Sequence, residues 1–162
     1  MRLYLIRHAP ALPSGTPGIP DEERPLTPRG DRKWKRAARG LARALKRPDA
    51  LLSSPLPRAW RTAEIAAAAW RGPRPEPADV LASGNLEEWE ALLATRSALA
   101  CVALVGHEPH LSSLLARLIG GDAARLPFKK GGVAVVDLPG RLLEGGTLLA
   151  FLAPGLLRRV AR

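Results

Sequence analysis

The repeated alternation of short apolar runs with proline-marked helix starts constrains the fold of this chain more than any other feature. Cys101–Val105 is a continuous apolar run of strand length, and such runs are typical of strands buried on both faces of a parallel sheet. Arg2–Ile6 and Ala50–Ser53 are two more segments of strand length. Because strands that alternate with helices pack as a mainly parallel sheet between helical layers, the pattern predicts an α/β fold.

Three predicted helices begin near a proline. Thr27-Pro28 is the clearest start, because threonine is a good N-cap and proline suits the first helical position. Ser54-Pro55 repeats this signal for a helix that should run to about Trp70, and Glu108-Pro109 begins another. In the helix after Thr27, apolar residues at helical spacing predict one buried face: Trp34, Ala37, Ala38, Leu41, Ala42 and Leu45. Its opposite, solvated face is basic: Arg32, Lys35, Arg36, Arg39 and Arg43.

The remaining segments complete the predicted sandwich. A further helix is expected from Leu86 to about Arg96, and a short strand at Asp79–Leu81. Val133–Leu138 and Thr147–Leu152 are expected to pair as antiparallel strands. The fold class is therefore a three-layer α/β/α sandwich whose mainly parallel sheet has an antiparallel edge. With 162 residues, the chain is expected to form a single domain over residues 1–162.

The charge balance first suggests a polyanionic partner. The chain has 25 Lys and Arg against 15 Asp and Glu, a formal net charge of +10. Aromatic residues make up only 4%, which leaves little material for stacking nucleic-acid bases. The excess of arginine, together with much Ala, Leu, Pro and Gly, also fits the codon usage of a GC-rich genome. Nucleic acid is therefore not the expected partner, although a polyanion-binding role for the basic helix stays open.

Cysteine usage and hydropathy indicate a cytoplasmic protein. The single cysteine, Cys101, excludes an intramolecular disulfide and a zinc site built on several cysteines. The apolar runs are shorter than the roughly 18 residues of a transmembrane helix, and Met1-Arg2 leads straight into a strand-like segment rather than a signal peptide. We therefore expect a cytoplasmic location and no membrane partner.

Three segments should meet at the carboxyl edge of the predicted sheet, where α/β proteins bind ligands. They are Arg7-His8, Ser53–Arg58 and Gly106-His107, each of which follows a predicted strand. Arginine side chains match the oxygens of a phosphoryl group, and a histidine can act there as nucleophile, acid or base. His107 and His110 have too few neighbouring ligands to complete a metal site, so no metal is expected.

Four ordered motifs carry a family resemblance. They are Leu5-Ile6-Arg7-His8-Ala9, Arg24-Pro25-Leu26-Thr27-Pro28-Arg29-Gly30, Ser54-Pro55-Leu56-Pro57-Arg58-Ala59-Trp60-Arg61-Thr62-Ala63 and Val105-Gly106-His107-Glu108-Pro109. In this order they resemble the histidine phosphatase superfamily, also called phosphoglycerate mutase-like. The segment Lys129–Ala134 resembles the late strand of the small SixA-type phosphohistidine phosphatases.

The resemblance implies a covalent mechanism without metal or cofactor. His8 would be the nucleophile that is transiently phosphorylated, and Arg7, Arg58 and His107 would surround the phosphoryl oxygens. The expected substrate is the phosphohistidine of a phosphotransfer protein. Alternatives are a general small phosphomonoesterase of the same fold and, from another class, a non-catalytic polyanion-binding protein. A mutase is disfavoured because the chain is short.

Two departures from the family pattern carry expectations of their own. Ala9 stands where the familiar opening has glycine, which implies a negative φ there. Larger members carry a catalytic acid in a loop that here reads Ser83–Trp89. Glu87 or Glu88 could replace that acid, but both fit better as ordinary carboxylates of a first helical turn. The Pro/Gly-rich segment Pro10–Pro25 is expected to be a loop on the rim of the site.

Overall fold

A computed structural model describes residues 1–161. Its centre is a six-stranded sheet in the order β3-β2-β4-β1-β5-β6. The strands are β1 Arg2–Arg7, β2 Ala50–Ser53, β3 Pro75–Pro77, β4 Cys101–Gly106, β5 Val133–Asp137 and β6 Thr147–Leu152. The pairs β1–β4, β2–β4 and β2–β3 are parallel, whereas β1–β5 and β5–β6 are antiparallel. The predicted fold class, a mainly parallel sheet with an antiparallel edge, is confirmed.

Helices cover both faces of the sheet. They are α1 Pro28–Ala44, α2 Pro57–Trp70, α3 Val80–Ser83, α4 Leu86–Ala94, α5 His110–Ile119 and α6 Pro154–Val160. Side chains of β1 alternate between two apolar clusters: Tyr4 and Ile6 pack with α1, α2 and α6, while Leu3 and Leu5 pack with α3, α4 and α5. Because successive side chains of a strand point to opposite faces, one strand contributes to both cores. No helix among residues 1–161 is long and apolar enough to cross a membrane.

Two local predictions are wrong. Asp79–Leu81 is not a strand: β3 lies earlier, at Pro75–Pro77, and the backbone N–H of Leu81 bonds to Ala78 in a turn that leads into α3. Helix α2 does not begin at Ser54-Pro55 but at Pro57. The Ser54 N–H donates to Val105 O at 3.0 Å, so Ser54 is bonded to β4 directly after the end of β2 and does not cap a helix.

The other helix starts agree with the sequence. Thr27 caps α1 by accepting the N–H of Gly30 on its hydroxyl at 2.9 Å. Helix α5 begins directly after Pro109. Helix α6 was not anticipated from the sequence, although Pro154 occupies its first turn. It packs across α1 at Gly40, where an added Cβ would lie 1.8 Å from the Leu157 carbonyl oxygen, so only glycine permits this approach.

Candidate active site

Three loops meet at the carboxyl edge of the sheet, as the sequence predicted. The register pairs Arg7 of β1 with Gly106 of β4, and Ser53 of β2 with Val105. The residues that follow these strands therefore emerge side by side. His8 and His107 are both nearly buried, and their ring centroids lie 5.2 Å apart. Two residues that are almost a hundred positions apart in sequence thus share one pocket.

The ring of His8 is oriented by a hydrogen bond to the backbone. Its Nδ1 lies 2.8 Å from the carbonyl oxygen of Ala9. Because a carbonyl only accepts, Nδ1 carries the proton and Nε2 keeps its lone pair. Burial, together with the nearby His107, Arg58 and Arg7, lowers the pKa of His8 to about 3, although the bond to Ala9 acts in the opposite direction. At neutral pH, His8 therefore presents an uncharged imidazole with a free Nε2.

Ala9 forms part of the frame that holds the pocket together. It is fully buried, and its N–H donates to the Thr62 hydroxyl at 2.9 Å, which itself donates to Arg58 O at 2.7 Å. Among the non-glycine residues from 1 to 161, only Arg71 has a positive φ, so the negative φ expected at Ala9 is confirmed. This chain of bonds fixes the loop after β1 to the first turn of α2.

His107 faces the pocket with the same tautomer as His8, its proton on Nδ1. Its Nε2 lies 2.8 Å from the hydroxyl oxygen of Ser54, and that oxygen also accepts the N–H of Leu56 at 3.3 Å. Among the described residues, the hydroxyl proton of Ser54 has no other acceptor. We therefore assign it as the donor to Nε2, which leaves the imidazole proton of His107 on Nδ1. This Nδ1 is buried and has no partner among the described residues. Burial, followed by Arg58 and His110, lowers the pKa of His107 to about 4.

Two arginines flank the histidines. Arg7 donates through Nη1 to Phe128 O at 2.6 Å, and Arg58 donates through Nη1 to Asp21 O at 2.8 Å. The Nε of each is buried without a partner in the part of the chain that the structure describes. Burial is the main cause that lowers the pKa of each, although a guanidinium remains charged at neutral pH. Unpaired buried donors of this kind are costly without an acceptor, and an anion in the pocket would supply one.

Two carboxylates that the sequence motifs did not identify as site residues lie near these arginines. Asp21, from the Pro10–Pro25 loop, lies 3.6 Å from Arg58 Nη2 through Oδ2 and accepts from Arg24 Nε at 2.9 Å through Oδ1. Glu108 accepts the hydroxyl of Ser112, and its charge opposes the fall in the pKa of Arg7. The position of Glu108 directly after His107 was a usable signal. No sequence signal predicts the pairing of Asp21 with Arg58, because 37 residues separate them.

Glu87 and Glu88 are ordinary carboxylates of a first helical turn. Both are exposed, and the Asn85 side chain caps their backbone N–H groups at 3.0 and 3.4 Å. The Glu88 carboxylate accepts the hydroxyl of Ser83 at 3.2 Å. These contacts give both residues a role at the start of α4, as the simpler sequence interpretation proposed. Among residues 1–161, no group of three or more His, Cys, Asp or Glu side chains is placed to hold a metal ion.

The lowered histidine pKa values predict a pH-dependent stability. Below the ordinary histidine pKa of about 6.5, the unfolded chain binds protons that the folded chain excludes. The free energy of unfolding should thus be unaffected by these groups above that pH and fall as the pH drops towards about 4. Each histidine should add up to about 1.4 kcal/mol per pH unit to the slope. Urea unfolding between pH 6.5 and 4.5 should show a shallower slope for His8→Ala, whereas parallel slopes would contradict the assignment.

The sheet order and the pair of histidines at its carboxyl edge define the phosphoglycerate mutase-like class of α/β proteins. Within that class, the family model of the histidine phosphatase superfamily (branch 1) matches residues 3–98. The chain therefore belongs to the histidine phosphatase superfamily and is a hydrolase of this family, whose members act without a metal. An uncharacterized protein of Picosynechococcus sp. is 35% identical over 142 residues, which cover 82% of each chain.

Solved structures place the chain near the SixA branch of this family. A crystal structure assigned to the phosphohistidine phosphatase SixA of Agrobacterium tumefaciens superposes with a TM-score of 0.81 at 33% identity, covering 94% of this chain and 97% of that one. The protein histidine phosphatase SixA complexed with tungstate superposes with a TM-score of 0.81 at 26% identity, covering 97% and 99%. The resemblance stated from the sequence motifs is thereby confirmed.

Proposed function

We propose that this hydrolase removes the phosphoryl group from phosphohistidine of a phosphotransfer protein, through a covalent intermediate on His8. One observation carries the proposal: the Nδ1–H of His8 donates to Ala9 O, which leaves Nε2 unprotonated inside a pocket that contains two arginines. A neutral imidazole with its second nitrogen tied to a carbonyl is an activated nucleophile at neutral pH.

The reaction needs two displacements at phosphorus. His8 Nε2 attacks the phosphoryl group, the bond from phosphorus to the substrate imidazole breaks, and that imidazole takes a proton from water. A water molecule then attacks phosphorus, the bond to Nε2 breaks, and inorganic phosphate leaves with the neutral His8 restored. Phosphoryl transfer spreads negative charge over three equatorial oxygens, so the positive charges of Arg7 and Arg58 stabilise both transition states. The Nδ1–H of His107 supplies a further donor.

The chemistry of the carboxylates favours phosphohistidine over alkyl phosphates. Glu87 and Glu88 are exposed residues of the first turn of α4, so we assign neither as a proton donor to a leaving group. An imidazole leaving group does not need such a donor, because water can protonate its second nitrogen. The similarity to the structure described as the protein histidine phosphatase SixA supports the same substrate class, and its tungstate is a tetrahedral oxyanion like phosphate.

Oxyanions should bind the pocket and stabilise the fold. Phosphate or vanadate should raise the Tm of the wild type, because a ligand that binds only the folded state shifts the unfolding equilibrium. Arg58→Ala should lose most of this shift, whereas Arg61→Ala, one turn further along α2 and paired with Asp31 and Glu64, should keep it. The measurements are thermal unfolding with and without phosphate or vanadate, and phosphate release with and without EDTA. An equal shift in both variants, or chelator-sensitive activity, would contradict the assignment.

The proposed substrate class is tested directly by phosphate release. The wild-type protein is incubated with a histidine-phosphorylated phosphotransfer protein, with the same protein phosphorylated on serine, and with p-nitrophenyl phosphate. We expect rapid release from phosphohistidine, slower release from the aryl ester and little from phosphoserine. Loss of the phosphoryl group from phosphoserine at the rate of phosphohistidine would instead identify a general phosphomonoesterase.

A further inference from the structure

A cationic cavity lies beside the loop that follows β1, next to α1 and α6. Its volume is about 230 Å³, and four cationic side chains line it: Lys33, Lys129, Lys130 and Arg158. No carboxylate from residues 1–161 lines this cavity. We refer to these four residues as the basic rim.

The basic rim shares a wall with the active-site pocket. Pro10, two residues after His8, and Gly131 both line the cavity. The N–H of Gly131 donates to the carbonyl oxygens of Arg7 and His8, at 3.1 Å each. Burial lowers the pKa of Lys130, and the charges of Arg7, Arg24 and Arg58 lower it further. The positive charges of the site therefore act on the basic rim. The cavity is therefore tied to the backbone of Arg7 and His8 through Gly131.

No ion pair within the described residues neutralises the charges of the basic rim. None of the four side chains forms an ion pair among residues 1–161, whereas the neighbouring Lys35 of α1 pairs with Asp31 at 2.6 Å. Four unpaired cations around one cavity repel each other, and an anionic partner relieves that repulsion. On α1, Lys35 of the basic face predicted from the sequence pairs with Asp31, whereas Lys33, which is not part of that face, lines this cavity.

The wall of the cavity argues against nucleic acid as the partner. Its only aromatic side chain is Trp34, which is 1% exposed and donates its indole N–H to Thr62 O at 2.8 Å. The ring therefore offers no face for base stacking, on which single-strand binding relies. Carboxylates need no such platform, and lysine ammonium groups pair with them readily.

We infer that the basic rim binds acidic side chains of the phosphorylated protein substrate and thereby holds it while His8 reacts. This inference rests on the proposed function. Complementary charge at the edge of an interface mainly affects encounter and affinity rather than the chemical step. The rim should therefore lower KM for a protein substrate and leave kcat unchanged. A small aryl phosphate, which reaches only the pocket, should not depend on the rim at all.

The test is a charge reversal in the rim with a matched control. The double variant Lys33→Glu/Arg158→Glu is compared with Lys46→Glu/Arg47→Glu, which makes the same change in charge near the opposite edge of the sheet. With an acidic histidine-phosphorylated phosphotransfer protein, the rim variant should raise KM by about tenfold or more at unchanged kcat. The control variant should have nearly wild-type kinetics, and both should hydrolyse p-nitrophenyl phosphate normally. Equal effects of the two variants would overturn the inference.

A binding measurement separates the inference from the proposed function. A fluorescently labelled hexaglutamate peptide should bind the wild type, more weakly as salt is added, and the rim variant should lose about tenfold or more in affinity. If wild type releases no phosphate from phosphohistidine but this peptide result holds, the proposed substrate fails and the rim stands as an acidic-ligand site. Peptide binding that is equal in the rim and control variants overturns the rim. Tighter, steeply salt-dependent binding of a single-stranded RNA oligomer would assign it to nucleic acid instead.

Discussion

Replacing His8 with alanine should abolish turnover while the protein stays folded. The variant lacks the only nitrogen that the proposed mechanism phosphorylates, so the loss should span several orders of magnitude, as for other covalent nucleophiles. The fold should survive, because the imidazole forms its hydrogen bond with the carbonyl of the adjacent Ala9 rather than with a distant element. Circular dichroism and thermal unfolding check the fold, and phosphate release under single-turnover conditions checks the chemistry.

The covalent intermediate gives this prediction an independent readout. Wild-type protein mixed with labelled substrate and quenched in alkali should carry label that is released by acid, as expected of a phosphorylated histidine. His8→Ala should carry none. His110→Ala is the matched control, since His110 begins α5 beside the site but stays partly exposed; it should keep the label and most of the activity. Robust turnover by the His8 variant would end the proposed mechanism.

Activity should fall steeply with the basicity of the leaving group. Phosphohistidine loses an imidazole that water can protonate, and an aryl phosphate loses a phenolate that its ring stabilises. An alkyl phosphate would lose a strongly basic alkoxide. A positioned general acid contributes about 10²–10⁴ to such a step, so without one the rates for phosphohistidine and alkyl phosphate should differ by at least that order. The measurement is a leaving-group series at fixed pH.

The carboxylates of Glu87 and Glu88 decide how this series is interpreted. Glu87→Gln/Glu88→Gln should change the phosphohistidine and aryl rates little, because glutamine preserves the contact of residue 88 with Ser83 and the cap from Asn85 is a backbone contact. If alkyl phosphates were hydrolysed as fast as aryl phosphates, and this variant lost that ability, a general acid would be present. The phosphohistidine assignment would then give way to a general phosphomonoesterase.

The order of strands and helices was predictable because its signals are local. The apolar run at Cys101–Val105 and the cap at Thr27 act within a few residues, and both predictions are confirmed. The motifs around His8, Arg58 and His107 could likewise be assigned to strand ends, since the carboxyl ends of parallel strands share one edge. The structure brings these residues together as expected.

Local signals failed where a distant contact decides the conformation. Ser54-Pro55 has the sequence of a helix start, but the bond from its N–H to Val105 O holds Ser54 at β4 and leaves its hydroxyl to His107. Helix α6 forms on a short segment whose packing depends on Gly40, more than a hundred residues earlier. Neither contact can be predicted from the residues that are adjacent in the sequence.

The sequence by itself determined the sheet, the family and the four residues that gather at one edge. Only the tertiary structure decided the chemistry available there: which nitrogen of His8 is free, which carboxylates stand near Arg7 and Arg58, and that four unpaired cations surround a cavity beside the pocket. The physical reason is the range of the interactions. Hydrophobic periodicity and capping act over a few residues, whereas burial, hydrogen-bond partners and fields depend on groups that folding brings together from distant parts of the chain.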